Sequence, residues 1–234
     1  MLKLIKLEWR KNHLSRYFKG VVISIATIFA AVALMGWGSK GQQDIMFPDY
    51  FEFMSLTNIL IKIVFIIFSA TVLSRLVIEE YKRNTVQLLF TYPLQRKKVM
   101  RSKLFIVFGF CFFSTILASI MINVLAFYLN PIIGFFEKPV HLNDILGTIP
   151  AVFLSAFMIS GISLIPLYFG MRKKSTAATI TSAVLIGFLI NATVSNGGDQ
   201  TSLFQFMGVP VLLCLLGLII GYFSFHRVDK IDLI

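Results

Sequence analysis

Residues 75–103 read RLVIEEYKRNTVQLLFTYPLQRKKVMRSK, and two long apolar runs, at about 54–78 and 104–129, flank this stretch. Each run has the roughly 20 residues that an α-helix needs to cross the hydrocarbon core of a membrane. The stretch between them therefore lies at one membrane surface. Its cations predict that this surface is the cytoplasmic one; they are Arg75, Lys82, Arg83, Arg96, Lys97, Lys98, Arg101 and Lys103.

The middle of this stretch is apolar although charged residues lie on both sides of it. It runs from Thr85 to Thr91, and its apolar side chains are Val86, Leu88, Leu89 and Phe90. Pro93 then ends a helix, because proline lacks an amide hydrogen and restricts the residue before it. We predict a short amphipathic helix that lies across the base of a membrane bundle, followed by a charged return into the next span.

The order of residues along 79–103 carries a family resemblance. It runs acidic pair, small polar turn, Thr, two Leu, Thr, Pro, Arg and a downstream Lys, which here are Glu79–Glu80, Asn84, Thr85, Leu88–Leu89, Thr91, Pro93, Arg96 and Lys103. This order, placed between the second and third of six spans, resembles the ABC-2 type exporter permeases. Those permeases usually have Gly where this chain has Asn84, and Asn also tolerates a left-handed turn.

The resemblance implies a coupling helix that docks into a cleft on a separate cytoplasmic ATPase subunit. The residues implied in this contact are Glu79, Glu80, Thr85, Val86, Leu88, Leu89, Phe90, Thr91, Pro93 and Arg96. The alternative is an ordinary cationic loop, which explains the charges but not the order of Thr, Leu, Leu, Thr and Pro.

The composition indicates an integral membrane protein. Of the 234 residues, 57% are hydrophobic and 14% are charged, whereas a soluble domain carries about 25% charged residues. The net charge of +11 is compatible with a nucleic-acid partner. However, the cations lie at the ends of apolar runs, where membrane topology requires them, so no nucleic-acid partner is expected.

Six apolar runs predict six membrane spans in a single permease domain that covers residues 1–234. We place the spans at about 20–37, 54–78, 104–129, 147–169, 176–195 and 204–225. Residues 2–19 form a basic amphipathic pattern with Trp9 and Tyr17, typical of a helix in the membrane interface. The alternating pattern of a barrel strand is missing from these runs, so the predicted fold class is an all-α polytopic membrane protein.

The distribution of cations predicts the orientation. Six precede the first span, eight lie in the second connection, three follow the fourth span and two lie in the tail, so these segments hold 19 of the 22. All four segments lie on one side if the chain crosses six times. We therefore expect a multi-pass protein of the plasma membrane with both termini in the cytoplasm, and the resemblance implies a bacterial origin.

Four polar residues inside the predicted spans are candidates for a transport pathway. Lys62 is the one charge well inside a span, and Asn58 lies one helical turn away. For Lys62, snorkelling toward the headgroups is the alternative. Asn123 and Asn191 are the other deep polar residues, for which packing against a neighbouring helix is the default interpretation.

Small residues in the first and fifth spans are candidates for a permease–permease interface: Ala30, Ala178, Thr179 and Ser182. Small side chains let helices approach closely in lipid. In the resembled family these two spans meet across the interface, and packing within one chain is the alternative. Separately, Pro166 is expected to kink the fourth span.

Catalytic and ATP-binding patterns are missing from the sequence. It has no GxxxxGK[ST] motif, and its three histidines are scattered without acidic or thiol partners. We expect no metal and no cofactor in this chain, with ATP and magnesium bound by the partner ATPase. A membrane-embedded enzyme would need paired His, Asp or Glu within the spans, and the predicted spans have no such pair. An ion-coupled secondary transporter would need an acidic residue near mid-membrane, and the acidic residues lie outside the predicted spans or at their ends.

The resulting expectation is a transmembrane permease subunit, itself not an enzyme, of an ATP-driven exporter. It resembles the small permeases of bacitracin and lantibiotic immunity and of staphylococcal phenol-soluble modulin export. The implied cargo is an amphipathic or toxin peptide, and the alternative is a lipid or a hydrophobic drug. The expected partners are cytoplasmic ATPase subunits, a second permease chain, identical or paralogous, and membrane lipids.

Overall fold

Helices make up most of the structure, a computed structural model that describes residues 15–38, 50–82, 96–133, 142–196, 199–202 and 208–227. The elements in chain order are α1 (Ser15–Gly38), α2 (Tyr50–Leu73), a π-helical turn (Ser74–Ile78), α3 (Glu79–Lys82), α4 (Arg96–Ile133), α5 (Leu142–Ile162), α6 (Pro166–Lys173), α7 (Thr176–Ile190), β1 (Thr193–Asn196), β2 (Asp199–Ser202) and α8 (Gly208–Arg227).

The helices confirm the predicted all-α polytopic membrane architecture. Four helical stretches are long and apolar enough to cross a membrane: Tyr17–Gly38, Tyr50–Ile78, Lys98–Asn130 and Gly147–Lys173. Two shorter apolar helices, Thr176–Ile190 and Gly208–Ser224, follow them. Helices are the expected solution because lipid offers no hydrogen bonds to the backbone.

Two spans differ in length from the sequence-based prediction. Helix α4 has 38 residues, about 57 Å at 1.5 Å per residue, so it extends beyond the hydrocarbon through its cationic first turns. Helix α7 has 15 residues and ends at Ile190, whereas the sequence predicted a fifth span to residue 195. Asn191 leaves helical geometry there, with φ −94° and ψ 6°.

A small β-hairpin follows α7 and adds the one strand pair of the described residues to an otherwise helical fold. Strands β1 and β2 are antiparallel, with Thr193 opposite Ser202 and Asn196 opposite Asp199. The sequence analysis left residues 196–203 as the connection between the fifth and sixth spans and predicted no strands there. Four-residue strands leave no extended alternation to detect, although Thr and Val in TVSN favour extended backbone.

Pro166 interrupts the fourth span, as expected. Helix α5 ends at Ile162, and the amides of Leu164 and Ile165 donate to carbonyls three residues back, at 3.1 and 2.9 Å. Pro166 then begins α6, a position where its missing amide hydrogen costs nothing. The fourth span is therefore two helices joined by a tight turn.

Helix α2 lies at the centre of the bundle and contacts α1, α4, α5 and α7. Its side chains Phe53, Ile61, Phe65 and Ile66 are at most 1% exposed. Large apolar side chains on the outer faces of α1, α4, α7 and α8 are exposed instead, as suits helices in contact with lipid. The bundle thus buries its second span among the first, third, fourth and fifth spans.

Glycines allow α5 and α8 to pack closely. A Cβ at Gly217 would clash with the backbone carbonyl of Gly161, and a Cβ at Gly161 would lie 3.3 Å from the Cα of Cys214. Backbones that approach this closely in lipid gain van der Waals contact that larger residues would prevent.

The two predicted interfacial elements lie mostly outside the described residues. Residues 15–19, the end of the predicted interfacial helix 2–19, are continuous with the first span in α1. The apolar centre of the predicted coupling helix, within residues 83–95, is also outside the described part of the chain.

We predict that Gly161→Val destabilises the protein, because the new side chain overlaps Cys214. Overpacking of this kind lowers the free energy of unfolding by about 1–3 kcal/mol. The measurement is the unfolding midpoint of the purified protein in detergent. The control is Gly147→Val on the same helix, where a Cβ meets no atom within 4 Å. Equal midpoints for the two variants would contradict the close packing.

Candidate functional site

The inner end of the second span departs from α-helical geometry. Residues Ser74–Ile78 form a π-helical turn, and the amide of Glu79 donates to the carbonyl of Ser74, five residues back. Leu76, Val77 and Ile78 are buried, whereas Arg75 is exposed. Single π-turns inside α-helices are frequent at functional sites. This one lies directly before the segment that the sequence predicts to contact an ATPase.

A buried lysine joins this turn to the third span. Lys103, in the third turn of α4, is 3% exposed. Its Nζ donates to the carbonyl oxygen of Leu76 at 2.9 Å and forms an ion pair with Oε2 of Glu80. A buried ammonium group needs such partners, because removal from water costs several kcal/mol per ion. The pair joins the end of the second span to the start of the third.

Glu80 has a partner within its own chain that the sequence analysis did not predict. The resemblance implies Glu79 and Glu80 in a contact with the ATPase, which stays a prediction, and the structure pairs Glu80 with Lys103. The sequence does contain a signal for the Glu80–Lys103 pair, because an acidic residue follows one apolar run and a lysine precedes the next. Antiparallel neighbouring helices bring such residues together.

Most of the other residues implied in the contact with the ATPase lie outside the described residues. Arg96 is the first residue of α4. The others lie outside the described residues, so their predicted contact stays a prediction; they are Thr85, Val86, Leu88, Leu89, Phe90, Thr91 and Pro93.

The four pathway candidates lie in different surroundings. Asn58 and Lys62 are half-buried one turn apart on α2. Asn123 is buried, accepts a hydrogen bond from Tyr50 Oη and donates to Ser119 at 2.7 Å. Asn123 thus joins α4 to the start of α2, which matches the packing interpretation.

Asn191 lies at the end of α7. Its Nδ2 donates to the carbonyl of Gly187 at 2.8 Å. Its Oδ1 is buried and accepts no hydrogen bond from the part of the chain that the structure describes. A role in transport for any of the four residues stays a prediction.

The four candidate residues for the permease–permease interface differ in exposure. Ala30 is exposed and Ala178 is half-buried. Thr179 and Ser182 are buried within their own chain, and Thr179 faces Gly170 of α6. Internal packing, the alternative that the sequence left open, thus accounts for these two residues, and an interface role for the set stays a prediction.

The described residues include no cluster of side chains suited to metal binding or to thiol chemistry. No group of three or more His, Cys, Asp or Glu side chains is placed to hold a metal ion in that part of the chain. Cys111 and Cys214 are buried free thiols in two different spans.

Comparison with known proteins agrees with this architecture. The sequence profile of a family described as "ABC-2 family transporter protein" matches residues 4–191. The chain belongs to the ABC-2 transporter family. It is also 33% identical over 231 residues, 99% of this chain and 100% of the relative, to the "Uncharacterized protein YcbO" of Bacillus subtilis (strain 168). No solved structure matches the chain significantly. An ABC-2 chain is the multi-pass membrane subunit of an ABC transporter, which the apolar helices support.

We predict that Lys103→Met destabilises the bundle, because it removes the buried ammonium group that pairs with the Glu80 carboxylate and the Leu76 carbonyl. Breaking a buried pair on one side costs about 3–5 kcal/mol, and the lower end applies because the Glu80 side chain is 18% exposed. Thermal unfolding in detergent measures the loss. The double variant Glu80→Leu/Lys103→Met should recover most of it. The exposed Lys98 is the control, and a Lys98→Met variant as unstable as Lys103→Met would contradict the assignment.

Proposed function

We propose that this chain is the transmembrane permease subunit of an ATP-driven exporter, moved by separate cytoplasmic ATPase subunits that bind ATP and magnesium. One observation carries the proposal. In an ABC-2 chain, the buried Glu80–Lys103 pair joins the two spans at the base of the connection that has the residue order of a coupling helix.

The Glu80–Lys103 pair gives the connection a mechanical role. ATP-driven closure of the ATPase subunits pushes the coupling segment, residues 79–103. Because Lys103 also bonds the Leu76 carbonyl of the π-helical turn, the push reaches α2 and α4 together rather than one helix alone. The spans then tilt and reshape a path between two permease chains.

The proposed assembly has two permease chains, identical or paralogous, and two ATPase subunits. The chain resides in a bacterial plasma membrane with both termini in the cytoplasm, as the cation distribution predicts. The exposed outer faces of α1 and α7 leave room for a second chain, with Ala30 exposed on α1 and Leu185, Phe188 and Leu189 on α7.

The proposed cargo is an amphipathic or toxin peptide. The resemblance to the small peptide-exporting permeases supports this assignment, and so do the apolar faces of a chain with 24 Phe residues. The same apolar character suits a lipid or a hydrophobic drug, which is the second candidate cargo.

An ion-coupled secondary transporter is disfavoured within the described residues. Glu52 lies in the first turn of α2, and Glu79 and Glu80 lie at its inner end. Acidic residues of proton- and ion-coupled carriers are placed within the membrane instead.

We predict that Leu88→Asp/Leu89→Asp abolishes ATPase binding while membrane insertion remains intact. Apolar side chains in a cytoplasmic connection mark a binding surface, and each large side chain that an ATPase cleft buries contributes roughly 1.5–3 kcal/mol. Copurification of the ATPase with the tagged permease measures the effect.

The matched control for that experiment adds the same charge without removing apolar surface. It is Gln87→Asp/Gln95→Asp in the same connection, and it should retain most of the ATPase. If the leucine variant copurifies as much ATPase as this control does, the coupling assignment is wrong.

We also predict the orientation by cysteine labelling of intact cells. In a background without the native thiols, Lys138→Cys should react with an impermeant maleimide, whereas Arg172→Cys should react only after the membrane is opened. The physical reason is the concentration of cations on the inner side. The opposite labelling pattern would reverse the orientation.

A further inference from the structure

The exposed face of α6 carries two aromatic residues and two cations. This helix buries Leu167 in the core of the bundle, whereas Tyr168 and Phe169 are 45% and 43% exposed. Arg172 and Lys173 are exposed as well. Because residues four positions apart share one face of a helix, each cation lies beside one of the aromatic side chains. The four side chains therefore form one continuous surface, which we call the α6 surface.

Contacts of the neighbouring Gly170 place the α6 surface at the inner boundary of the membrane. A Cβ at Gly170 would lie 2.9 Å from Cδ1 of Ile78, which ends the π-helical turn of the second span. The charged connection begins at the next residue, Glu79. The fourth span likewise ends at Lys173. The two aromatic side chains thus lie in the interfacial layer, where Tyr and Trp are enriched in membrane proteins, and the two cations lie one helical turn further toward the predicted cytoplasm.

Hydrogen-bond donors of Arg172 and Tyr168 meet on this surface. Nη1 of Arg172 donates to Oη of Tyr168 at 3.5 Å, and the Tyr168 and Phe169 rings meet edge to face, with centroids 5.5 Å apart. Because Tyr168 accepts in this hydrogen bond, its own hydroxyl hydrogen can be donated to another acceptor, and the guanidinium group retains further N–H donors. Helical side chains lean toward the helix N-terminus, which in α6 is the direction of the membrane. These donors therefore approach the level of the phospholipid headgroups.

We propose that the α6 surface binds an anionic phospholipid of the cytoplasmic leaflet. The lipid phosphate accepts hydrogen bonds from the Tyr168 hydroxyl and the Arg172 guanidinium group, whose planar donors suit phosphate. Lys173 adds a second positive charge, and the acyl chains lie against the two aromatic rings. A zwitterionic headgroup gains less, because its own cation is repelled by these two cations.

The lipid is a resident ligand of the bundle rather than cargo, so this site goes beyond the proposed export function. A cytoplasmic protein fits the α6 surface less well, because the aromatic half of that surface lies within the fourth span, Gly147–Lys173.

The test is a lipid titration of the purified full-length chain, followed by native mass spectrometry. Phosphatidylglycerol should bind more tightly than phosphatidylcholine of the same acyl composition. Arg172→Gln/Lys173→Gln should weaken phosphatidylglycerol binding about thirty-fold, at about five-fold for each cation near the membrane surface, and leave phosphatidylcholine binding unchanged. Tyr168→Phe keeps the ring and should weaken phosphatidylglycerol binding about five-fold, because one hydrogen bond to the phosphate is lost.

The control removes two exposed cations elsewhere on the predicted inner side. Lys19→Gln/Lys98→Gln changes the net charge by the same amount and should leave the preference for phosphatidylglycerol intact, and unfolding midpoints should show that all variants are folded. Equal binding of the two lipids, an equal loss in this control, or unchanged phosphatidylglycerol binding in Tyr168→Phe would overturn the headgroup site. If Arg172→Gln/Lys173→Gln keeps the lipid preference but loses the copurified ATPase, the α6 surface binds the ATPase and the lipid proposal is wrong.

Discussion

Burial of the Lys103 ammonium group is the constraint on which the inner end of this bundle depends. A cation that is 3% exposed persists only with compensating partners. Here the partners are Glu80 and the Leu76 carbonyl, both at the end of the second span. Glu80 and Lys103, 23 positions apart in the sequence, therefore meet at the inner end of the bundle. The pair joins the two spans at the ends of the connection that the sequence predicts to contact an ATPase.

The same two spans are joined by polar contacts at both ends. Tyr50 begins α2 and donates to Asn123 of α4, while Glu80 and Lys103 pair at the inner end. Between these contacts the packing is apolar, with Ile61 and Phe65 of α2 at 1% exposure. Contacts at both ends thus hold the two helices side by side. A bend in the second span is expected at the π-helical turn, because hydrogen bonding there departs from the α-helical pattern.

Membrane architecture was predictable from the sequence, because hydrocarbon imposes strong requirements on composition and length. The apolar runs and the cations at their ends indicated six helical spans, and Pro166 correctly marked the break in the fourth. The short strands β1 and β2 were missed because four residues carry little periodicity. The early end of α7 was missed because Asn191 interrupts a run that remains apolar on average.

Side-chain partners were harder to predict than helices. The sequence analysis placed Glu80 and Lys103 in one motif but did not predict that they pair with each other. Pairing across 23 residues depends on the helix rotations that bring the two side chains together, and no local pattern encodes these rotations. Thr179 and Ser182 show the same difficulty, because small residues favour any close helix contact, within or between chains.

Photocrosslinking from position 89 tests the central claim most directly. A photoreactive amino acid in place of Leu89, activated in native membranes, should form an adduct with a P-loop ATPase, identifiable by mass spectrometry. Addition of a nucleotide that the ATPase binds should change the yield, because closure of the ATPase subunits displaces the connection. Adducts with phospholipid alone, at every nucleotide condition, would contradict the account.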